Sequence, residues 1–237
     1  MAGRARVHRS ASTWSQPLPA PASPERAELL QLLARQLDAM GRERLRVAID
    51  GRTAAGKTSF GHELAEAMAA LGRPVLRASL DDFKRPWRER HLYDRESGEG
   101  YYRNAFDYDA VRRLLIDPMA GDGFCALCAI DPRTQVDHSA DRTPAAANAV
   151  LIVDGVFAFR PELDGCWDLR IWLEVAAAES VGRGLARDGG DGTVLRDRYV
   201  VSEDIYIDEV DPIARADVVI DNTRFERPQM LRGLGDA

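Results

Sequence analysis

The stretch of the chain whose residue types and spacing most directly imply chemistry is GRTAAGKT, from Gly51 to Thr58. The pattern G-x-x-x-x-G-K-[ST] is typical of a loop whose backbone N–H groups surround a phosphate. The glycines allow the tight turns, and the start of the following helix adds its positive end. Lys57 can reach β- and γ-phosphates, and the Thr58 hydroxyl can ligate Mg²⁺. The predicted nucleotide contacts are Gly51, Arg52, Thr53, Ala54, Ala55, Gly56, Lys57, Thr58 and Ser59.

Lysine usage supports this interpretation of the loop. Of 32 lysines and arginines, only Lys57 and Lys84 are lysine. A compact ammonium on a thin stem fits a phosphate-binding loop, where a planar guanidinium does not. The chain therefore departs from its preference for arginine at the position where a nucleotide phosphate is expected, and Lys57 is predicted to act in catalysis.

Acidic residues follow two further apolar segments. AVLIVD ends at Asp154, which is the place expected for an acid that holds Mg²⁺ directly or through water. RASLDDF puts Asp81 and Asp82 after the preceding apolar segment, at the edge of the sheet where ligands bind in open α/β folds. We predict that Asp81 is the base for an acceptor hydroxyl, and that Thr58, Asp81 and Asp154 are the metal ligands.

Two arginines are predicted to cover the transferring phosphoryl group. Arg183 and Arg187 lie four residues apart on one helical face, next to the flexible sequence GGDG. Such cations stabilise the charge of a transferring phosphoryl group. The sequence therefore predicts a closing lid around residues 183–196.

Short apolar segments alternate with helical patterns along the chain, which predicts βαβ units. The expected fold class is α/β, a three-layer P-loop NTPase fold with a mostly parallel sheet flanked by helices. Residues 24–237 are predicted to form a single kinase domain, and the Pro-rich residues 1–23 a disordered tail. The predicted helices are 24–40, 57–71, 107–119, 176–188 and 193–210, and the predicted strands are 45–50, 74–80, 123–130, 148–157, 167–175 and 216–222.

Composition narrows the expected partners and location. The formal net charge of −6 argues against a general nucleic-acid binder, and no apolar run has the length of a membrane span. Three cysteines do not suit a disulfide framework and favour a reducing cytoplasm. The expected partner is a small-molecule acceptor. The sequence does not decide the oligomeric state, and a homo-oligomer is one of the open alternatives.

Several motifs occur in the order found in the uridine kinase family of P-loop nucleoside kinases. The segments IDGRTAAGKTSF, LDDFKRP, AFDYDAVRRLL, VLIVDGVF and RADVVIDN resemble that family over residues 46–222. The resemblance implies ATP- and Mg²⁺-dependent transfer of the γ-phosphoryl group to a hydroxyl, in the family the 5′-hydroxyl of uridine or cytidine. By position, Asp81 matches the catalytic aspartate, Phe83 follows it as in the family motif, and Asp154 matches the acid of the third apolar strand. The implied acceptor contacts are Asp81, Phe83, Tyr101, Tyr102, Asp107 and Arg183.

The sequence departs from this family where the acceptor is expected. The family segment N-F-D-H-P-x-A-F-D is here GEGYYRNAFD, so that Tyr102 and Arg103 replace the His-Pro pair, and Lys84 replaces a tyrosine. Tyr101 and Tyr102 are candidates to stack on a base or sugar. The absence of N-K-x-D argues against a GTPase. Two alternatives stay open: a kinase for pantothenate, a sugar phosphate or another riboside, and a nucleotide-binding regulatory protein without turnover.

Overall fold

A seven-stranded sheet forms the centre of the computed structural model, which describes residues 4–14, 20, 22–89, 91–92, 94–189 and 192–235. The strands are β1 (Val7–Arg9), β2 (Leu45–Gly51), β3 (Val75–Ser79), β4 (Phe124–Cys125), β5 (Thr143–Pro144), β6 (Val150–Asp154), β7 (Leu169–Glu174), β8 (Val218–Asp221) and β9 (Gln229–Arg232). The sheet order is β1-β3-β6-β2-β7-β8-β9, and β4 and β5 form a separate pair. All neighbours in the large sheet are parallel except β8 and β9. The predicted α/β class is confirmed.

Helices connect the parallel strands. They are α1 (Pro24–Ala39), α2 (Lys57–Ala70), α3 (Gly98–Asn104), α4 (Tyr108–Val111), α5 (Asp117–Ala120), α6 (Ala177–Asp188), α7 (Val201–Val210) and α8 (Pro212–Arg215). A π-helical segment, Arg112–Ile116, joins α4 to α5, and another, Leu195–Val200, leads into α7. None of the helices among the described residues combines the length and the apolar character needed to cross a bilayer.

Apolar side chains cover both faces of the sheet. On one face, α1 and α2 pack Leu33 and Phe60 against Val47 and Ile171 of the strands. The other face carries an aromatic-rich cluster that includes Phe157, Trp172 and Tyr206. Strands buried on both sides are expected to be continuous apolar runs, which is how β2 and β6 read in the sequence.

The parallel register brings the ends of the central strands together. Asp154, the last residue of β6, lies opposite Ile49 of β2 and Ser79 of β3. The segments that follow these three strands therefore all leave the sheet at the carboxyl ends of the strands. An open α/β sheet places its ligand-binding groups at these carboxyl ends.

The N-terminal segment differs from its prediction. A disordered tail was expected over residues 1–23, yet Val7–Arg9 forms an edge strand in which Val7 pairs with Val75 and Arg9 with Arg77. The expectation is therefore wrong for this strand, because backbone pairing with β3 and packing of Val7 against the core hold it in place. Residues 1–3, 15–19 and 21 of the predicted tail lie outside the described residues.

Three smaller differences concern short elements. No helix or strand was predicted after residue 222, yet β9 lies there and pairs antiparallel with β8. None was predicted between residues 81 and 106 either, yet this segment contains α3. The strand predicted for 123–130 is reduced to the two residues of β4, since its partner β5 is equally short.

Candidate active site

The loop between β2 and α2 has the backbone that its glycines predict. Gly51 has a φ of 152° and Gly56 a φ of 90°. A Cβ atom at Gly51 would lie 2.6 Å from the Leu173 carbonyl oxygen, and one at Gly56 would lie 2.7 Å from the side-chain nitrogen of Asn222. Glycine is therefore required at both positions by conformation and by space.

Lys57 folds back over this loop. Its Nζ donates to the carbonyl oxygens of Gly51, at 2.9 Å, and Arg52, at 2.8 Å, and the side chain lines the cavity. Burial lowers the pKa of Lys57, although Asp50, Glu203 and other acids act in the opposite direction. The ammonium thus lies where it can contact phosphate oxygens held by the loop.

Thr58 and Asp154 are in direct contact. The Thr58 hydroxyl donates to Oδ2 of Asp154 at 2.6 Å, while Arg77 donates to Oδ1 at 2.7 Å. Gly61 makes room for this arginine, because a Cβ atom there would lie 2.6 Å from its guanidinium. A hydroxyl beside a carboxylate is the donor set that P-loop enzymes use for Mg²⁺ together with nucleotide phosphates. The residues present therefore fit this metal.

Asp81 lines the same cavity. It belongs to the 3₁₀ turn Leu80–Phe83 that follows β3, and its backbone N–H donates to the Ser79 hydroxyl at 3.3 Å. Lys84 approaches its Oδ1 to 2.6 Å, and the indole N–H of Trp14 donates to its Oδ2 at 3.3 Å. Burial raises the pKa of Asp81, but Lys84 and Trp14 outweigh that effect and hold the pKa below its usual value. The carboxylate is therefore ionised at neutral pH, as a base must be.

Asp82, the next residue, is buried but also lines the cavity. Burial raises the pKa of its carboxyl to about 7, against the effect of the hydroxyls of Ser10 and Ser12. The two adjacent acids therefore differ in environment: one is neutralised by a lysine, and the other is enclosed beside two hydroxyl groups.

The lid arginines both line the cavity. Arg183 contacts Glu179 at 2.9 Å and donates to the backbone oxygens of Asn222 and Thr223. Gly189 follows their helix with a φ of 70°, a conformation that glycine adopts easily. Residues 190 and 191 of the predicted lid lie outside the described residues. The role of the two arginines in covering a phosphoryl group stays a prediction.

Three of the predicted acceptor contacts point away from the cavity. Phe83 is fully buried in the core, and Tyr102 packs against Phe157 with ring centroids 5.2 Å apart. The Asp107 carboxylate accepts from the backbone N–H of Ala110 and caps α4. These residues therefore have structural roles, and their predicted contact with the acceptor is not supported by the structure.

Tyr101 does line the cavity, as predicted for an acceptor contact. Nζ of Lys84 lies 5.6 Å from its ring centroid, and the Arg198 guanidinium lies 4.7 Å from it. Its neighbour Tyr102 faces the core instead, because successive residues of α3 lie on different faces of the helix.

Several residues that support the loop were not predicted. Oε1 of Glu203 accepts from the backbone N–H of Thr53 at 2.6 Å, and the side chain of Asn222 donates to the carbonyl of Ala55 at 2.6 Å. Asp50 accepts from the hydroxyl of Tyr206 at 2.6 Å, and burial raises its pKa to about 6. The N-terminal residues Ser10, Ser12 and Trp14 also line the cavity, and no periodic pattern in the sequence marks them.

Solved structures share this architecture. A protein of Bacillus stearothermophilus described as a possible uridine kinase is 22% identical, with a TM-score of 0.65 over 81% of this chain and 97% of that chain. A protein of Silicibacter sp. TM1040 described as a fructose transport system kinase is 21% identical, with a TM-score of 0.62 over 78% of this chain and 94% of that chain. This chain has the fold of these two kinases. The predicted P-loop fold is thus confirmed, and the first structure is consistent with the resemblance to uridine kinases. No family model and no curated protein matches the chain.

Proposed function

We propose that the protein is an ATP-dependent kinase that transfers the γ-phosphoryl group to a hydroxyl of a small molecule, with a nucleoside as the first candidate acceptor. One observation carries the proposal: Lys57 and Thr58 of the phosphate loop and Asp81 beyond β3 line the same cavity. Its volume of about 1260 Å³ exceeds the ~300–1,000 Å³ typical of a pocket for one drug-sized ligand. There is room for a nucleotide and a second small molecule.

At the donor end of the cavity, defined as residues 51–59 with Asp154, the chain binds and neutralises phosphate. The backbone N–H groups of the loop and the Lys57 ammonium bind the β- and γ-phosphates, and this orients the terminal group. Thr58 and Asp154 would hold Mg²⁺, which when bound neutralises charge on those phosphates. Arg77, paired with Asp154 at 2.7 Å, keeps that carboxylate oriented.

Asp81, which lines the same cavity, would accept the proton of the acceptor hydroxyl. Lys84 and Trp14 hold its two oxygens in a fixed orientation. Arg183 and Arg187 supply positive charge at the cavity wall, where charge develops on the transferring group. The two structural neighbours described as kinases support this class of reaction through their fold.

A screen of acceptors tests the proposal. ADP formation from Mg·ATP is measured with uridine, cytidine, D-ribose, D-fructose, pantothenate, D-glycerate and ribose 5-phosphate, for the wild type and for Asp81→Asn. We expect at least one compound to stimulate ADP formation and to appear as its phosphate ester, with the stimulation lost in Asp81→Asn. Tight ATP binding without stimulation by any compound would favour a regulatory nucleotide-binding protein instead.

A further inference from the structure

The N-terminal arm, residues 4–14, lies along the edge of the sheet and reaches the proposed active-site cavity. Its strand β1 pairs with β3, and the Ser10 N–H donates to the Arg77 carbonyl at 3.2 Å. Beyond this strand, Ser10, Ser12 and Trp14 line the cavity. This part of the predicted Pro-rich tail thus forms one wall of the cavity.

Both ends of this arm are anchored. Near its start, Arg4 and Arg9 pair with Glu66 of α2. Near its end, the Thr13 backbone N–H donates to Oδ2 of Asp131 at 2.6 Å. Asp131 is fully buried, and its other oxygen accepts two further backbone N–H groups of its own turn. The position of Trp14 is therefore fixed by contacts on both sides of the arm.

Trp14 is in contact with the proposed base. Its indole N–H donates to Oδ2 of Asp81, while Lys84 holds Oδ1. Nζ of Lys84 lies 6.0 Å from the Trp14 ring centroid and 5.6 Å from that of Tyr101. Trp14 is 40% exposed, so part of its surface stays open although the Arg133 guanidinium lies 5.5 Å from its ring centroid. Trp14 thus orients Asp81 and also offers an apolar face to a ligand.

Asp82 supplies a second, independent sign of a ligand. The residue is 3% exposed, lines the cavity, and lies beside the hydroxyls of Ser10 and Ser12. Its Oδ1 makes no hydrogen bond of normal geometry within the part of the chain that the structure describes, although these two hydroxyls are nearby. A buried polar oxygen without a partner is costly, so a donor from a bound molecule would stabilise it. A ligand hydroxyl is such a donor.

The charges at this acceptor end, defined as Ser10, Ser12, Trp14, Asp81, Asp82, Lys84 and Tyr101, select against anions. The one cation of the set, Lys84, is paired with Asp81, and the neighbouring cavity-lining Arg9 and Arg77 are paired with Glu66 and Asp154. The guanidinium groups of Arg133 and Arg198 lie 5.5 Å from the Trp14 ring centroid and 4.7 Å from that of Tyr101, but neither residue is among the described residues that line the cavity. An anionic acceptor would face two carboxyl groups, and Lys84, Arg9 and Arg77 are each already paired with an acid. An uncharged molecule meets no such repulsion.

We infer that the N-terminal arm is one wall of the acceptor site and that Trp14 is a positioning residue for Asp81. The acceptor is an uncharged compound whose hydroxyls bind Asp81 and Asp82 while an apolar face packs on Trp14. This inference rests on the proposed kinase function and narrows its acceptor class: nucleosides and free sugars fit, whereas pantothenate, glycerate and sugar phosphates do not.

The test compares Trp14→Ala, Trp14→Phe and a control, Arg6→Gln, which alters an exposed side chain of the arm away from the cavity. Initial rates with the acceptor panel above give kcat and KM for acceptor and for ATP. We expect uncharged acceptors to be used in preference to anionic ones. Trp14→Ala should raise the acceptor KM about tenfold and lower kcat, with the KM for ATP unchanged.

The conservative variant separates the two roles of Trp14. Trp14→Phe should restore most of the acceptor KM, since it keeps an aromatic face. Its kcat should stay low, because Asp81 has lost the hydrogen bond that holds its Oδ2 in place. Arg6→Gln should behave as the wild type, and far-ultraviolet circular dichroism checks that each variant is folded.

Distinct results would overturn the inference. If an acceptor is phosphorylated but Trp14→Ala leaves its KM unchanged, or raises the KM for ATP equally, the arm is not part of the acceptor site and the kinase proposal stands. The same holds if Arg6→Gln matches Trp14→Ala. Preference for an anionic acceptor overturns the uncharged class. If the wild type phosphorylates no compound of the panel, the kinase proposal fails together with the inference.

Discussion

The donor end of the cavity takes its shape from consecutive residues, whereas the acceptor end is assembled from distant segments. Between residues 51 and 59, one loop and the first turn of α2 supply the glycines, Lys57 and Thr58. The acceptor end joins the N-terminal arm to the turn after β3 and to Tyr101 of α3. The two ends of the proposed active site therefore differ in how locally the sequence encodes them.

The two lysines of the chain show the same difference between the donor end and the acceptor end. Both line the cavity: Lys57 donates to backbone carbonyls of the phosphate loop, and Lys84 pairs with Asp81. At the donor end the ammonium must fit within a tight loop, while at the acceptor end it neutralises one oxygen of the Asp81 carboxylate. The two positions should therefore differ in their tolerance of arginine.

The largest effect is expected at the acceptor end. Asp81→Asn should lower kcat by about 10²–10⁴-fold, because it removes the base for the acceptor hydroxyl, and should leave the KM for ATP close to the wild-type value. Steady-state kinetics with the best acceptor measures this change. The matched control is Asp82→Asn, which should mainly raise the acceptor KM. Near-normal turnover by Asp81→Asn would show that another group, or none, acts as the base.

At the donor end, Lys57→Ala should lower kcat by about 10²–10³-fold through loss of charge stabilisation. Lys57→Arg should be nearly as inactive, because the carbonyls of Gly51 and Arg52 enclose the compact ammonium at 2.9 and 2.8 Å. Lys84→Arg is the comparison, since it keeps the charge beside Asp81 and should be much milder. Turnover at saturating ATP measures all three. A fully active Lys57→Arg would contradict the difference drawn between the two lysines.

Loosening of the N-terminal arm should weaken acceptor binding and leave ATP binding unchanged. Asp131→Ala removes the acceptor of the Thr13 N–H and should raise the acceptor KM several-fold, about as much as a lost hydrogen bond of ~1 kcal/mol. The KM for ATP should not change. Limited proteolysis should show faster cleavage of the arm than in the wild type. An arm that stays protected would show that β1 alone holds it.

The Asp131 carboxylate should make the attachment of the arm depend on pH. Burial raises the pKa of Asp131, but the backbone N–H groups of Thr134, Thr13 and Arg133 hold it well below its usual value. The carboxylate therefore contributes stability that is present above about pH 4 and is lost as pH falls towards the folded-state pKa. Protection of the arm from proteolysis by an acid protease should decrease with falling pH in the wild type and vary less in Asp131→Ala.

The smallest expected effect concerns His62 of α2, which lines the cavity. The pKa of His62 is lowered from 6.5 to about 4, mainly by burial and secondly by the nearby positive charge of Arg77. The unfolded chain thus binds a proton that the folded chain rejects, and the free energy of unfolding falls as pH decreases from 6.5 to about 4. Urea unfolding at several pH values should show a shallower loss in His62→Gln. Equal pH dependence in both proteins would mean that other groups account for it.

The donor end could be predicted from the sequence because its residues are contiguous and because strand ends fall at one edge of a parallel sheet. Lys57, Thr58 and Asp154 were identified in this way, and Thr58 contacts Asp154 at 2.6 Å. The supports of the loop could not be predicted, since Glu203 reaches Thr53 across 150 residues.

The acceptor end could be predicted only in part. Asp81 was found from its place after β3, but a motif does not show which way each side chain turns, and Phe83 of the same 3₁₀ turn enters the core. The arm was missed because β1 has three residues, too few for a periodic pattern, and because Trp14 meets Asp81 across 67 residues. Such contacts depend on tertiary packing rather than on local sequence.

The most direct test of the central claim, phosphoryl transfer between the two ends, is a single-turnover experiment. Excess enzyme is mixed with ATP labelled in its γ-phosphate, Mg²⁺ and the best acceptor, and the quenched products are separated. We predict that the label leaves ATP in one phase and appears in an organic phosphate of the acceptor. Label found only in inorganic phosphate, or remaining in bound ATP, would contradict the account.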